Sequence, residues 1–139
     1  YDRKALYLME QLADSAFTAL ATKLKVQYAK TPNNHRWPYC LGNIHEQVKN
    51  YNKAINYYQE CYKINPADLL LEAISNCYDE LGNYPRALDY INQAIQMDST
   101  NYRYIQDRAN IYEHAGMRKE AIQDMDLYIS KYPDYFFGY

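Results

Sequence analysis

Glycine and proline are scarce in this chain, at four and five of 139 residues. Each disrupts a helix interior, so their scarcity leaves long runs free to be helical. A dominant charge sign is also lacking: 15 basic side chains face 17 acidic ones, for a formal net charge of -2. A dedicated nucleic-acid binder would show a basic face and a high pI, so nucleic acid is not the expected partner. No run approaches the ~18 apolar residues of a membrane span, so direct membrane insertion is not expected. No signal-peptide order opens the chain, although a start at Tyr1 gives that absence little weight. The three cysteines, Cys40, Cys61 and Cys77, are odd in number and lack C-x-x-C spacing. That pattern argues against a disulfide framework and a zinc site. Buried free thiols are the expected state, which tilts the compartment towards the cytoplasm without fixing it.

What the chain has in plenty is tyrosine, 18 residues of it. Tyrosine combines a large apolar ring with a polar tip, which suits the half-exposed walls of helical stacks and binding grooves. The stretch Leu81-Gly82-Asn83-Tyr84-Pro85-Arg86-Ala87-Leu88 sets the frame for the rest. Lys49-Asn50-Tyr51-Asn52-Lys53-Ala54-Ile55 precedes it by 33 residues, and Gly116-Met117-Arg118-Lys119-Glu120-Ala121-Ile122 follows it by 34. A fixed period of that size means stacked units.

Superposed, the units share more than a turn. Leu41-Gly42, Ile74-Ser75 and Arg108-Ala109 align, each a longer residue followed by a small one. His45, Tyr78 and Tyr112 follow three residues later, Ala54, Ala87 and Ala121 align further on, and Pro66, Ser99 and Pro133 close the units. Small residues at recurring places let helix axes approach, and large ones fill the grooves beside them. Helices are expected over 36–48, 52–64, 68–81, 84–97, 101–115 and 118–131. Asn50, Asn83, Asp68 and either Asn101 or Thr100 are the candidate N-caps. Residues 1–34 are less legible. Leu6, Met9, Leu12, Ala16, Leu20 and Leu24 recur at helical steps, which allows one long helix, or, as the favoured reading, a helical hairpin divided by an Asp14-Ser15 cap, a degenerate repeat.

These residues resemble the tetratricopeptide repeat family, a helix–turn–helix unit of about 34 residues. The middle unit carries the resemblance best, through Leu71, Ile74, Ser75, Tyr78, Gly82, Tyr84, Ala87, Ile91 and Ala94. The first departs at Pro38 and His45, and the third at Arg108, Arg118 and Tyr128. The resemblance implies an all-α fold, a right-handed superhelix of stacked antiparallel helical hairpins. The expected units are 35–67, 68–101 and 102–135, after an N-terminal segment 1–34. Residues 136–139 look like the start of a further repeat, with Tyr139 where Leu71 and Ile105 fall. An uncapped last face would then favour self-association through 118–139.

Catalytic constellations are not evident. His45-Glu46-Gln47-Val48-Lys49 begins like H-E-x-x-H, but Lys49 stands where the second ligand belongs. His35 and His114 lack partners at metal-ligand spacing, and Ser15, Ser75, Ser99 and Ser130 lack a nucleophile elbow. No enzyme, metal or cofactor is expected. A helical-repeat enzyme would need acids converging in a closed pocket.

In the family it resembles, first helices line a concave groove and present polar side chains to a protein or peptide. Asn43, Asn76 and Asn110 align there, as do Glu46, Asp79 and Glu113, with Tyr39, Glu72 and Gln106 beside them. Asparagine offers both donors and an acceptor to an extended backbone. Counted by formal charge the groove is acidic: Glu46, Glu72, Asp79, Glu80, Asp107 and Glu113 against Arg36 and Arg103. The resemblance therefore does not extend to the carboxylate clamp of chaperone-binding repeats, since Tyr39, Ala73 and Asp107 stand at places where cations are needed. The expected ligand is a neutral or basic segment, docked partly against Tyr39 and Leu69. The alternatives are an ordinary solvated acidic face and a structural spacer that associates end to end through its aromatic C-terminus.

Overall fold

The computed structural model describes residues 3–133, with seven helices and no strand among them. The chain divides into two compact units at Asn65–Pro66. The first holds α1 (Arg3–Lys30), α2 (Arg36–Gln47) and α3 (Tyr51–Ile64). The second holds α4 (Asp68–Glu80), α5 (Tyr84–Met97), α6 (Arg103–His114) and α7 (Arg118–Lys131). Helices α2–α3, α4–α5 and α6–α7 each pair as a hairpin, and α6 also packs on α5. The fold is all-α and built of antiparallel helical hairpins.

Each hairpin closes through the same stop. In α2 the N–H of Asn50 donates to the carbonyl of His45 (2.8 Å) and that of Lys49 to Glu46 (2.9 Å). Asn83 and Gly82 do the same to Tyr78 and Asp79. Met117 and Gly116 do so to Tyr112 and Glu113. This paired bonding requires one residue in the left-handed region. Gly82 and Gly116 take it at φ 74° and 76°, whereas the first hairpin places Lys49 there at φ 62°. A residue with a Cβ is strained in that conformation by roughly 1–2 kcal/mol.

Small residues recur where the paired helices meet. Ala54 and Ala87 are fully buried and Ala121 nearly so. Ser75 is buried, and its Oγ donates to the carbonyl of Ala87 across the second hairpin at 2.7 Å. A Cβ on Gly42 would lie 2.5 Å from Cε1 of Tyr58, a ring with no exposure at all. Around them Leu41, Ile74, Ile91 and Ile111 fill the interior. Cys61 and Cys77 are buried and Cys40 is half-buried, all as free thiols. Burial, with Cys40 nearby, pushes the Cys61 thiol up.

Four expectations need correction. Residues 3–30 form one continuous helix, not a hairpin. Asp14 and Ser15 do not cap: Thr18 donates its hydroxyl to the Asp14 carbonyl at 2.9 Å within an unbroken helix. A hairpin stop needs a left-handed residue, and α1 contains none among its described residues. Asn83 does cap α5, accepting from the Arg86 N–H, but Asn50 makes no side-chain cap bond. Asp68 begins α4 after Ala67, and its carboxylate instead accepts from the Tyr104 hydroxyl at 2.7 Å. Helix α6 starts at Arg103 because Thr100 is held in a turn by Asp98, which accepts from both its N–H and its hydroxyl. The suggested further repeat at 136–139 lies outside the described residues.

Helix α1 joins α2 through an aromatic cluster. The His45 ring stacks on Tyr57 of α3 at 5.4 Å and meets Phe17 of α1 edge-on at 5.2 Å. The register recurs in the next hairpin, where Tyr78 stacks on Tyr90 at 5.6 Å.

Relief of the strain at Lys49 gives a direct check on the hairpin stop. Lys49→Gly should stabilise the first unit by about 1 kcal/mol, even though glycine gains entropy in the unfolded chain. Urea denaturation of wild type and variant measures it; a destabilised variant would mean that the lysine is not held in the left-handed region.

Candidate partner-binding faces

The expected site residues fall on the first helices of the hairpins. In the first unit, Tyr39, Asn43 and Glu46 follow one another along one side of α2. Tyr39 is exposed, with its ring 6.2 Å from that of Tyr58. The Tyr58 hydroxyl lies 2.7 Å from Oδ1 of Asn43 and 2.5 Å from Oε2 of Glu46. One hydroxyl proton cannot serve both acceptors. Turning the Asn43 amide over reconciles the geometry: its NH2 donates to the phenol oxygen while the phenol donates to Glu46. Asn43 and Glu46 are thus committed in part to holding α2 on α3, and are less free for a ligand than their spacing implied.

In the second unit the rows on α4 and α6 come together. Arg103 spans both carboxylate oxygens of Glu72 at 2.6 Å. Nδ1 of His114 lies 2.8 and 3.0 Å from the oxygens of Asp79. These two contacts, near opposite ends of the helices, put Glu72, Asn76 and Asp79 on one face with Gln106, Asn110 and Glu113. Asn76 and Gln106 are half-buried, while Asn110, Glu113 and Leu69 are exposed. The face is therefore hydrogen-bonding between the Arg103–Glu72 ion pair and the His114–Asp79 contact.

Its charge differs from the formal count. Arg103, counted from the sequence as one of two cations in the groove, is neutralised by Glu72, whose bonding and charge raise the arginine's affinity for its proton. Asp107 sits beside them with Oδ2 buried and unbonded among the described residues. Its carboxyl is pushed up to about 7, chiefly by burial and then by bonding to and repulsion from Glu72, against the pull of Arg103. Of the six acids counted, Glu72 and Asp79 are paired, Asp107 leans towards neutrality, and Glu80 and Glu113 remain exposed.

Sequence reasoning missed a second polar constellation. Arg108 forks onto both oxygens of Asp124 at 2.7 Å and donates to Asn92 at 2.9 Å, tying α6 to α7 and α5. Such bidentate pairs are among the stronger side-chain contacts. A signal was present. Arg108 aligns with Leu41 and Ile74, and Asp124 with Tyr57 and Tyr90, so one repeat replaces two apolar residues by opposite charges. His114–Asp79 had no such marker, because the partners lie 35 residues apart on different hairpins. Among the described residues no three His, Cys, Asp or Glu side chains group as metal ligands, and no helix is long and apolar enough to cross a membrane.

Paired helices with small residues at their crossings, repeated in register and carrying polar first-helix faces, define a protein-interaction module of stacked helical hairpins. Family profiles described as Tetratricopeptide repeat match residues 39–68, 70–101 and 107–135. The chain belongs to the tetratricopeptide repeat family. It is similar to N-alpha-acetyltransferase 16, NatA auxiliary subunit, from Homo sapiens, at 36% identity over 115 residues. The Mus musculus protein of the same name is 33% identical over 115 residues. In both cases the match covers 77% of this chain and 12% of the relative, so the chain spans only a small part of either. Among solved structures, MamA 41-end from Desulfovibrio magneticus RS-1 superposes with a TM-score of 0.75 at 15% identity, over 88% of this chain and 68% of that one. The Arabidopsis OM64 TPR domain gives 0.65 at 24% identity, over 72% and 84%. These structures share the fold.

The shifted carboxyl yields a test. A group whose folded pKa is raised contributes most below its unfolded value, 3.8 for Asp107, and loses that contribution as pH rises through about 7. The second unit should therefore lose stability over that range relative to Asp107→Asn, by no more than about 2 kcal/mol once solvent screening is allowed. Chemical denaturation of both proteins across the range measures the difference; parallel curves would show an ordinary carboxylate.

Proposed function

We propose that this chain is a non-catalytic interaction module that holds a neutral or basic segment of a partner protein on its first-helix faces. The α4–α6 face of the second unit is the principal one. The observation that supports this reading is the arrangement of Arg103–Glu72 and Asp79–His114, which hold α4 and α6 side by side with Asn76, Gln106 and Asn110 on the shared face. Helices fixed in this way lose little freedom when a ligand arrives, so hydrogen bonds to its backbone are gained at low entropic cost. Leu69 adds an exposed apolar contact beside them. Glu80 and Glu113 give the face a residual negative charge, which favours a neutral or basic ligand over an acidic one. In the first unit, Tyr39, Asn43 and Glu46 play the lesser part, since Tyr58 already engages two of them. Similarity to part of a protein named as an auxiliary subunit supports the same non-catalytic class of role.

The test is quantitative recovery of protein partners from the native extract on wild-type chain and on the Asn76→Ala, Gln106→Ala, Asn110→Ala triple variant. At about 1 kcal/mol for each lost hydrogen bond, affinity should fall on the order of a hundredfold with the thermal unfolding curve unchanged. Binding should also weaken with added salt. Undiminished binding by the variant would remove the face from consideration.

A second reading, self-association through the last hairpin, is favoured by a separate observation. A cleft of about 410 Å³ lies between α6 and α7, lined by Ala109, Ala121, Ile122 and Met125 with Asn110, Glu113, Arg118 and Asp126 at its polar parts. Ile122 is 54% exposed and Leu127 41%. Tyr135, Phe136, Phe137 and Tyr139, to which the sequence also assigns this role, lie outside the described residues. Light scattering at rising concentration should show association that Ile122→Glu reduces; a monomer at every concentration excludes this reading.

A further inference from the structure

We infer that His45 makes the docking of α1 on the α2–α3 hairpin depend on pH, so that α1 is released when the imidazole takes up a proton. This is a property of the first unit and does not rest on the partner-binding reading. His45 is 3% exposed, and neither of its ring nitrogens has a hydrogen-bond partner among the described residues. The ring is enclosed by Tyr57 of α3, stacked at 15°, and by Phe17 of α1, edge-on at 80°.

The groups that face it decide the sign. Lys25 of α1 and Lys53 of α3 are both cationic, and each opposes a further positive charge. Tyr57 is the titratable group stacked against the ring. Glu46, the neighbouring acid on α2, is turned to the Tyr58 hydroxyl. A neutral imidazole leaves one N–H and one lone pair unmet in this enclosure. A protonated one leaves two N–H donors and a charge unmet, which is the costlier state. An aromatic face attracts a cation, but loss of hydration and two lysines act against that. Burial first, then Lys53 and Lys25, hold the imidazole below its ordinary value.

The other repeats supply an internal contrast. Tyr78 and Tyr112 occupy the aligned positions, and Tyr78 keeps the stack on Tyr90 without an imidazole. Packing at this position therefore does not require histidine. What histidine adds is a proton-binding site in the seam that joins α1 to its hairpin. A group with a depressed folded pKa supports docking fully above its unfolded value and loses that support as pH falls through the docked value.

Hydrogen exchange on the 139-residue chain, corrected for the intrinsic pH dependence of exchange, tests this from about pH 7.5 to about pH 5. Protection of residues 17–30 should fall by about tenfold per pH unit below ~6.5, until the docked imidazole itself titrates. His45→Tyr and His45→Phe should each abolish that dependence. The readout is confined to α1, so titration of Asp107 in the other unit does not enter. Unchanged protection of wild-type α1 down to about pH 5, or an equal fall in both variants, overturns the inference. Proton NMR of the wild-type imidazole gives a check independent of either variant: a titration midpoint below ~6.5 supports the proposal, and one at or above it overturns it.

Discussion

The two helices of each hairpin can come together only because small side chains occupy recurring places along them: Gly42, Ser75 and Ala109 on the first helices, Ala54, Ala87 and Ala121 on the second. Close approach decides what else the hairpin can hold. At Gly42 the space goes to the Tyr58 ring, which a single Cβ would strike. At Ser75 the backbone of Ala87 comes near enough to accept the serine hydroxyl at 2.7 Å. Interiors packed to this density leave little slack, so the first-helix faces inherit fixed positions from contacts made on their opposite sides.

Polar side chains within this frame are held by one another. Tyr58 is fully buried as a ring, yet its hydroxyl reaches Asn43 and Glu46 at the edge of α2. Tyr104 does the same towards Asp68, and burial, followed by the bond to that carboxylate, pushes its phenol up. The abundant tyrosines therefore serve as links between an apolar interior and a polar face, the combination that their chemistry permits. Arg108 and Asp124 go further and place an ion pair where other repeats place apolar residues. A partly buried pair of this kind adds less net stability than its Coulomb energy suggests, because both groups lose hydration. Its geometry still fixes how α6 meets α7 and α5.

The 33- and 34-residue spacings made the hairpins legible, because glycine at the turn and alanine at the crossing are local consequences of backbone sterics. Gly82 and Ala87 could be read without any knowledge of their neighbours. Lys49 was harder: its place in the alignment is that of Gly82 and Gly116, but nothing in a lysine advertises a positive φ. Residues 3–30 misled for the opposite reason. Asp14-Ser15 has the composition of a cap, but capping depends on where the chain goes next, and no left-handed residue is present to turn it. The candidate faces were legible in position and not in pairing. Asp79 and His114, or Glu72 and Arg103, meet because α4 and α6 lie together, which no local pattern in either helix records.

That last distinction changes the chemistry assigned to the α4–α6 face. A count of formal charges makes it an acidic surface that would attract cations at a distance. Geometry turns two of those acids inward to Arg103 and His114, and burial moves a third towards its neutral form. Once carboxylates are spent on holding two helices in register, the side chains left to meet a ligand are largely amides. Amides recognise a backbone by hydrogen bonding at short range, with little steering. Selectivity on such a face must then come from where the amides stand and from apolar contacts such as Leu69, together with the residual charge of Glu80 and Glu113. The small residues at the hairpin crossings thus act on recognition indirectly, by fixing the spacing of Asn76, Gln106 and Asn110.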